Sequence, residues 1–212
     1  IYGLTKGQYS PTTDRGFVTK TSPAGTIENP FVPGQLVLGA GGNFFARVVD
    51  NNIKHSQEVF ELAAAHKGTS VVEVLQNCVI FNDGIHAEIA DPKMRDERQI
   101  FLEHGKPMIF GFNHDKGLIF EKGNLKAVKI GENGVSMKDI LIHDATEPNG
   151  FIHQLLINMK LPDLPVAMGI IRAVEAPFYD LAMEAQIADV QSKSKIKCVD
   201  DLLNSGNTWV VS

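Results

Sequence analysis

The pattern of apolar positions separates an irregular opening from a region in which strands and helices alternate. Residues 44–49 and 69–75 are runs rich in aromatic and β-branched side chains, which favour strands. Between them, apolar residues recur at helical spacing from about Ile53 to His66, behind N-cap candidates at residues 50–52. A strand, a helix and a strand within about 30 residues predict a right-handed, parallel βαβ unit.

The rest of the chain is predicted to add further helices and strands to this unit. The predicted elements are a short helix over 35–42, a helix from Asp91-Pro92 to about His104, a helix over 147–159, a strand over 164–174, a helix over 179–192, and a short helix with an edge strand carrying Trp209 over 199–211. Between residues 106 and 143, short apolar runs alternate with turn sequences rich in Asn, Asp and Gly, which predicts a small antiparallel meander. The pattern therefore predicts an α/β fold with a β-rich insertion.

The opening segment, residues 1–31, shows neither a helical nor a strand period. Its glycines alternate with hydroxyl residues and with Lys6, Arg15 and Lys20. Irregular loops longer than about 15 residues are uncommon in compact domains and are usually functional or disordered. Glycine lets a backbone approach a ligand closely, and hydroxyls and lysines bind phosphate or carboxylate oxygens. We therefore predict a loop that binds an anionic ligand. The alternative is a flexible tail, against which the interleaved aromatic residues argue.

Composition narrows the classes of function. The formal net charge of −5, from 20 basic and 25 acidic residues, is typical of a cytoplasmic protein and lacks the basic footprint of a nucleic-acid-binding protein. No apolar run is long enough to predict a membrane span. The two cysteines, Cys78 and Cys198, lie in no Cys-x-x-Cys pair, so we expect no disulfide framework, and each alone is most simply a small buried side chain. His143-Asp144 is assigned no role, because no nucleophile accompanies it.

Two motifs carry a resemblance to a known family. The first is IYGLTKGQYSPT at residues 1–12, followed by TKTSP at residues 19–23, and the second is VLQNCVIFN at residues 74–82. Both resemble the β subunit of 2-oxoacid:ferredoxin oxidoreductases, in particular of the 2-oxoglutarate synthase type, and a weaker likeness extends to Trp209. Asn77 departs from the family, which often has proline before the cysteine.

This resemblance implies a thiamine-diphosphate-binding fold: three α/β/α layers with a mostly parallel sheet, lacking its N-terminal portion. In the family, an aspartate-glycine motif, an asparagine pair and two cysteine motifs precede the segment that contains Tyr2, and none of them occurs here. The chain also begins with Ile, so we expect it to be the C-terminal part of a longer polypeptide. Residues 1–105 would finish the thiamine-diphosphate-binding domain, and residues 106–212 would hold the β-rich insertion and a closing α/β region of the same subunit.

The resemblance also implies roles for residues of the opening loop. Ile1 would offer its backbone carbonyl oxygen to Mg²⁺, a hard cation that prefers oxygen ligands. The residues implied to line the thiamine diphosphate site are Tyr2, Gly3, Thr5, Thr21 and Ser22, and residues 19–22 would close over it. Leu4 lies where the family distinguishes substrates, and Lys6 would face the distal carboxylate of the substrate or coenzyme A.

The same resemblance makes Cys78 the last thiolate ligand of a 4Fe–4S cluster, whose other ligands are absent from this chain. Its position just past a strand of the βαβ unit suits a ligand, because ligands gather at the carboxyl ends of parallel strands. The implied activity is oxidative decarboxylation of a 2-oxoacid, most simply 2-oxoglutarate, with coenzyme A to an acyl-CoA, CO₂ and reduced ferredoxin. It would require an α subunit and ferredoxin as partners, and this chain would not be active alone.

Two other functions stay open at this point. One is a standalone module that binds an anionic ligand or a partner through the glycine- and lysine-rich loop, without catalysis. The other is a relative of the thiamine enzymes without iron–sulfur chemistry. Cysteine pairs encoded upstream of Ile1 would favour the oxidoreductase, and a start codon directly before Ile1 would favour the binding module.

Overall fold

The computed structural model of the protein describes residues 8–20, 22–209 and 211. Its helices and strands, in chain order, are α1 (Pro33–Gly39), β1 (Phe44–Val49), α2 (Ile53–Ala65), β2 (Ser70–Leu75), α3 (Ala87–Ala90), α4 (Arg95–Arg98), β3 (Gln99–Leu102), β4 (Ile109–Phe110), β5 (Lys116–Glu121), β6 (Asn124–Lys129), a 3₁₀ turn (Met137–Asp139), α5 (Phe151–Ile157), β7 (Val166–Ala173), α6 (Tyr179–Lys193) and α7 (Val199–Leu203). The chain forms two compact units, one ending at Ala176 and one beginning at Pro177.

The first unit is built on a four-stranded sheet with strand order β2-β1-β7-β3. Strand β1 runs parallel to β2, with Phe44 opposite Ser70, and β3 runs parallel to β7, with Gln99 opposite Val166. Only the central pairing of β1 with β7 is antiparallel. The sheet is therefore mostly parallel, and the predicted βαβ unit of β1, α2 and β2 is present.

Helices cover both faces of this sheet. All six residues of β1 are buried, which requires cover on each side because successive side chains of a strand point to opposite faces. Phe45 packs in a cluster with Leu156 and Ile157 of α5 and with partly buried residues of α1. Phe44, Ala46 and Val48 pack instead with Val59 of α2. The predicted three-layer α/β/α architecture is confirmed.

A second, antiparallel sheet with order β4-β5-β6 lies between β3 and α5 in the chain. Its apolar side chains, including Phe110 and Leu118, belong to the same buried cluster as α5. The run after the 3₁₀ turn extends this sheet without being a regular strand, since Met108 N–H donates to the carbonyl oxygen of Leu141 at 2.8 Å and Leu141 N–H donates to that of Leu118 at 2.9 Å. The predicted β-rich insertion is therefore confirmed.

The predicted helix from Asp91 to His104 is wrong. Asp91 does start a turn, because its side chain accepts a hydrogen bond from Lys93 N–H at 2.9 Å, but helix α4 has only four residues. Residues 99–102 form strand β3, in which Ile100 and Leu102 are buried against β7. The pairing of β3 with β7 and the burial of its side chains stabilise the strand more than local helix propensity would stabilise a helix, as tertiary packing often does.

The second unit contains α6 and α7, in agreement with the two helices predicted for this part of the chain. The predicted edge strand around Trp209 is absent from its described residues, which are irregular between 204 and 209. No helix of the described chain is both long enough and apolar enough to cross a membrane. The predicted domain boundary at residue 105 stays a prediction; β3 and β7, from either side of it, are neighbours in one sheet.

Candidate functional site

The opening loop folds back on itself between Gly16 and Thr26, a segment called here the 16–26 hairpin. Gly16 N–H donates to the carbonyl oxygen of Thr26 at 2.8 Å, and Thr26 N–H donates to that of Phe17 at 3.2 Å. Further out, Thr19 and Ser22 exchange both backbone hydrogen bonds, at 3.3 and 3.1 Å. The described part of the opening is thus tied together by its own backbone, which argues against a flexible tail.

Glycine is needed where the two arms of the hairpin meet. Gly16 and Gly25 adopt φ angles of +81° and +84°, which side chains other than glycine rarely adopt. A Cβ atom on Gly25 would lie 3.0 Å from the carbonyl oxygen of Gly16. These two glycines therefore allow the two arms of the loop to approach each other closely, and the predicted approach of the loop backbone to a ligand stays a prediction.

Most of the described hydroxyl residues between residues 8 and 26 are buried, whereas Thr12 is exposed. Five of them are buried: Ser10, Thr13, Thr19, Ser22 and Thr26. Thr26 Oγ1 donates to the carbonyl oxygen of Asp14 at 2.5 Å, and Ser10 Oγ lies 2.8 Å from Thr12 Oγ1. Because buried polar groups in native proteins are as a rule hydrogen-bonded, these contacts show a packed polar loop.

Ser22 is the exception within the described part of this loop. Its side chain is buried, with the residue 7% exposed, yet its Oγ has no hydrogen-bond partner among the described residues. Leaving a buried hydroxyl unpaired costs about 1–3 kcal/mol, so a ligand oxygen or nitrogen is a suitable partner for it. This observation fits the implied place of Ser22 in a cofactor site.

The remaining residues predicted for this site lie outside the described residues. They are Ile1 as a magnesium ligand, Leu4 and Lys6 as substrate-binding residues, and Tyr2, Gly3, Thr5 and Thr21 as cofactor-binding residues. Their roles stay predictions.

Cys78 lies on a tight turn just beyond Leu75, the last residue of β2. Asn82 N–H donates to the carbonyl oxygen of Cys78 at 2.9 Å, which closes the turn. The thiol is free and the residue is half-buried, whereas Val79 and Ile80 at the tip of the turn are more than 60% exposed, at 68% and 63%. The structure thus places Cys78 past the carboxyl end of a parallel strand, as predicted from the βαβ pattern.

Two residues that sequence analysis did not assign to this turn hold it in place. Asn77 N–H donates to Oδ2 of Asp50 at 2.9 Å, its Nδ2 donates to Oδ1 of Asp83 at 2.8 Å, and its Oδ1 accepts from Gly84 N–H at 2.9 Å. Asp50, one of three N-cap candidates for α2, contacts the turn instead, and Asn52 occupies the N-cap position. The sequence signal that could have indicated this role of Asp50 was its position directly after a core strand, at the edge of the sheet where ligands gather.

Neutral imidazoles lie near the same edge of the sheet. Burial lowers the pKa of His86 from its ordinary value, and the carboxylates of Asp50 and Glu73 oppose that shift. Burial also lowers the pKa of His55, with Glu58 opposing it and Arg95 adding to it. At neutral pH both rings are therefore mostly uncharged.

The described residues alone do not complete a metal centre. They contain no group of three or more His, Cys, Asp or Glu side chains arranged to hold a metal ion. Four thiolates are the usual ligand set of a 4Fe–4S cluster, so Cys78 fits one position and the others would have to come from elsewhere. The hydroxyl of Ser22, by contrast, fits a polar ligand such as thiamine diphosphate directly.

Comparison with known proteins agrees with this picture. Residues 1–74 match the family described as "Thiamine pyrophosphate enzyme, C-terminal TPP binding domain". That match includes the opening loop, β1, α2 and nearly all of β2.

Over its whole length the chain is similar to 2-oxoglutarate oxidoreductase subunit KorB of Mycobacterium tuberculosis, with 36% identity over 214 residues. The alignment covers 100% of this chain and 57% of that protein. A shorter alignment links it to 2-oxoacid:ferredoxin oxidoreductase 1, subunit beta, of Aeropyrum pernix, with 41% identity over 88 residues, 42% of this chain and 28% of that protein. The chain therefore spans little more than half the length of the mycobacterial relative.

A solved structure shares the fold. The 2-oxoglutarate:ferredoxin oxidoreductase from Magnetococcus marinus, with 2-oxoglutarate, coenzyme A and succinyl-CoA bound, superposes with a TM-score of 0.60 at 20% identity. The superposition covers 98% of this chain and 55% of that one. The resemblance of this chain to β subunits of 2-oxoacid:ferredoxin oxidoreductases, inferred from residues 1–23 and 74–82, is confirmed.

Proposed function

We propose that this chain is part of the β subunit of a 2-oxoacid:ferredoxin oxidoreductase that acts with an α subunit. The reaction would be oxidative decarboxylation of a 2-oxoacid, 2-oxoglutarate before others, with coenzyme A to an acyl-CoA, CO₂ and reduced ferredoxin. The observation that carries the proposal is the alignment of the entire chain with a 2-oxoglutarate oxidoreductase subunit at 36% identity. We also propose a cytoplasmic location, on the ordinary charge balance of the chain.

In this proposal the cofactor supplies the chemistry and the chain supplies binding and orientation. Bound thiamine diphosphate provides a stabilised carbanion for decarboxylation. Ser22 would bind it through the hydroxyl that lacks a partner in the described structure, together with Thr21, Tyr2, Gly3 and Thr5. The carbonyl oxygen of Ile1 would help to hold Mg²⁺ at the diphosphate.

Substrate selection is assigned to the loop residues Leu4 and Lys6, and one ligand of a 4Fe–4S cluster to Cys78. Lys6 offers a mobile positive charge suited to a carboxylate or to coenzyme A. Leu4 would shape the pocket for the side chain of the 2-oxoacid. The relatives named above are oxidoreductase subunits, which does not favour the alternative of a standalone, non-catalytic binding module.

If Ser22 binds the cofactor, its replacement should weaken cofactor binding without lowering the stability of the fold. In Ser22→Ala we expect the free energy of unfolding to stay unchanged or to rise slightly, because the lost hydroxyl leaves no hydrogen-bond partner behind among the described residues. The dissociation constant for thiamine diphosphate should rise about tenfold, the value of one hydrogen bond of about 1.4 kcal/mol. Urea unfolding and calorimetric titration of the assembled enzyme measure the two quantities.

Thr26→Val is the matched control in the same hairpin, because the hydroxyl of Thr26 donates to the carbonyl oxygen of Asp14. This variant should lose about 1 kcal/mol of stability. If Ser22→Ala were as destabilised as the Thr26 variant and bound the cofactor normally, Ser22 would be a structural residue and not part of the site.

Lys6 should decide the preference for dicarboxylic substrates. In the assembled enzyme, Lys6→Ala should lower kcat/KM for 2-oxoglutarate by about 10–100-fold, since a hydrogen bond to a charged group contributes about 1.5–3 kcal/mol. The slower reaction with a monocarboxylic 2-oxoacid should change much less. Lys138→Ala, which removes an exposed lysine of the 3₁₀ turn in the β-rich insertion, is the control. Equal activity of Lys6→Ala and the unaltered enzyme towards 2-oxoglutarate would remove Lys6 from the site.

A further inference from the structure

Two buried histidines meet beside strand β7. His143 follows the β-rich insertion and His153 lies in α5; each is 1% exposed, and their ring centres are 6.3 Å apart in an edge-to-face arrangement. The proposed function uses neither ring. Together with Arg172 of β7 they form a connected group, called here the histidine clasp.

The partners of the two rings fix where their protons sit. Nε2 of His143 lies 2.8 Å from the carbonyl oxygen of Ile170, and Nε2 of His153 lies 2.8 Å from that of Asp144. A carbonyl oxygen only accepts, so both Nε2 atoms carry the proton. Nδ1 of His153 then accepts from Nη1 of Arg172 at 3.1 Å, because a guanidinium group only donates. Both rings are neutral in this arrangement.

Arg172 connects the clasp to three backbone segments. Its guanidinium group donates to the carbonyl oxygens of Gly42 at 3.0 Å, Glu147 at 3.0 Å and Pro148 at 3.3 Å. Gly42 directly precedes β1. The turn at residues 147–150 packs on α1, since a Cβ atom on Gly150 would lie 3.5 Å from the side chain of Leu38. The clasp therefore holds the 144–150 segment beside the helix that follows the opening loop.

We propose that the histidine clasp is an acid-sensitive latch that holds residues 144–150 and α1 against the sheet and releases them when its rings take up protons. A second proton on His143 would sit on Nδ1, which is buried without a hydrogen-bond partner among the described residues. A second proton on His153 would face the donor group of Arg172. Either event places a charge where the present contacts cannot accommodate it.

Burial and the charged groups around the clasp determine the direction in which the pKa of each histidine is shifted. Burial lowers the pKa of His143 from 6.5 to about 4; His153 and His104 add to that shift, whereas the hydrogen bond to Ile170 and the Asp144 carboxylate oppose it. Burial also lowers the pKa of His153, with Arg172 adding to the effect and the carbonyl and carboxylate of Asp144 and the carboxylate of Glu147 opposing it. Asp144 and Glu147 are exposed, so solvent weakens their opposition.

The sign of the pH dependence follows from these directions. The unfolded or released segment binds protons at the ordinary histidine pKa of about 6.5, and the closed clasp binds them only at lower pH. The contribution of the clasp is therefore complete above about pH 6.5 and is lost as the pH falls from there through the lowered pKa of His143.

Hydrogen exchange of the assembled protein at about pH 7.5 and about pH 5, corrected for the intrinsic exchange rate, tests this latch. Peptides covering residues 144–150 and 33–39 should open more than about tenfold more readily at the lower pH. In His143→Gln that increase should fall to the part that His153 contributes, because the Gln Nε2 can still donate to Ile170 but cannot take up a proton at these pH values. His114→Asn, at an exposed histidine with φ of +51°, is the control and should respond like the unaltered protein.

An unchanged opening of both segments between the two pH values would overturn the latch, and so would the same increase in His143→Gln as in the unaltered protein. Should His143→Gln fail to fold, the imidazole signals of the unaltered protein decide the question. Titration of His143 well below the ordinary histidine pKa, together with opening of residues 144–150, supports the latch. Titration near about 6.5 without any opening refutes it.

Discussion

Replacing Cys78 by serine is expected to abolish electron transfer in the assembled enzyme while leaving the chain folded. Changes outside the ligand shell of a metal centre typically lower metal affinity or activity by 10–100-fold, so loss of a thiolate ligand should exceed about a hundredfold. Serine supplies a hydroxyl, which is a poor replacement for the thiolates that hold iron–sulfur clusters. The measurements are iron and sulfide content, the electron paramagnetic resonance signal of the reduced enzyme, and 2-oxoglutarate-dependent reduction of a viologen dye.

The fold of the turn should survive this change. Asn77, and not Cys78, makes the side-chain hydrogen bonds that join the turn to Asp83 and Gly84, and its backbone N–H is held by Asp50. The contact of Cys78 that closes the turn is made by its backbone carbonyl oxygen. Because serine differs from cysteine in one atom and the residue is only half-buried, the free energy of unfolding should change by less than about 1 kcal/mol.

Cys198→Ser is the matched control, since Cys198 is the other cysteine of the chain and is exposed in the second unit. It should retain the iron content and activity of the unaltered enzyme. Normal iron content and turnover in Cys78→Ser would end the cluster role of Cys78. A thiamine enzyme without iron–sulfur chemistry would then be the better description.

The elements predicted well from sequence are those whose pattern is long and local. Strand β1 has the predicted bounds, and α2 ends within a residue of its prediction, because five apolar residues among the six of the strand and three helical turns leave little choice. Strand β3 was missed, because its four residues, Gln-Ile-Phe-Leu, show no apolar and polar alternation and follow the Asp91-Pro92 signal for a helix start. Its identity depends on pairing with β7, more than sixty residues away, at Gln99 and Val166.

In the candidate site, too, features set by local sequence were predicted and features set by contacts between distant residues were not. The place of Cys78 followed from the order of strand, helix and strand. The role of Asp50 did not, since its hydrogen bond to Asn77 joins residues 27 positions apart. The Ser22 hydroxyl is buried without a hydrogen-bond partner in the described part of the chain, and this burial depends on the fold, which no motif encodes. The family resemblance selected Ser22 as a cofactor-binding residue, and that role stays a prediction.

The largest expected effect on stability comes from a buried ion pair between two core strands. Nε of Arg47 in β1 donates to Oε2 of Glu73 in β2 at 2.6 Å, and the two side chains are 7% and 14% exposed. Nη2 of Arg47 also donates to the carbonyl oxygen of Ile157 at 3.2 Å. Glu73→Ala would leave the guanidinium group buried and without its carboxylate. We expect a loss of about 3–5 kcal/mol in the free energy of unfolding, measured by urea denaturation.

The double variant Arg47→Met/Glu73→Leu distinguishes the value of the pair from the cost of breaking it. Both charges are gone and the volume is largely kept, so this protein should be considerably more stable than Glu73→Ala and close to the unaltered protein. Asp189→Ala, which breaks the exposed pair of Lys193 and Asp189 in α6, should cost no more than about 0.5 kcal/mol. If the double variant lost as much stability as the sum of Arg47→Met and Glu73→Leu measured singly, the two side chains would contribute packing area and not a coupled ion pair.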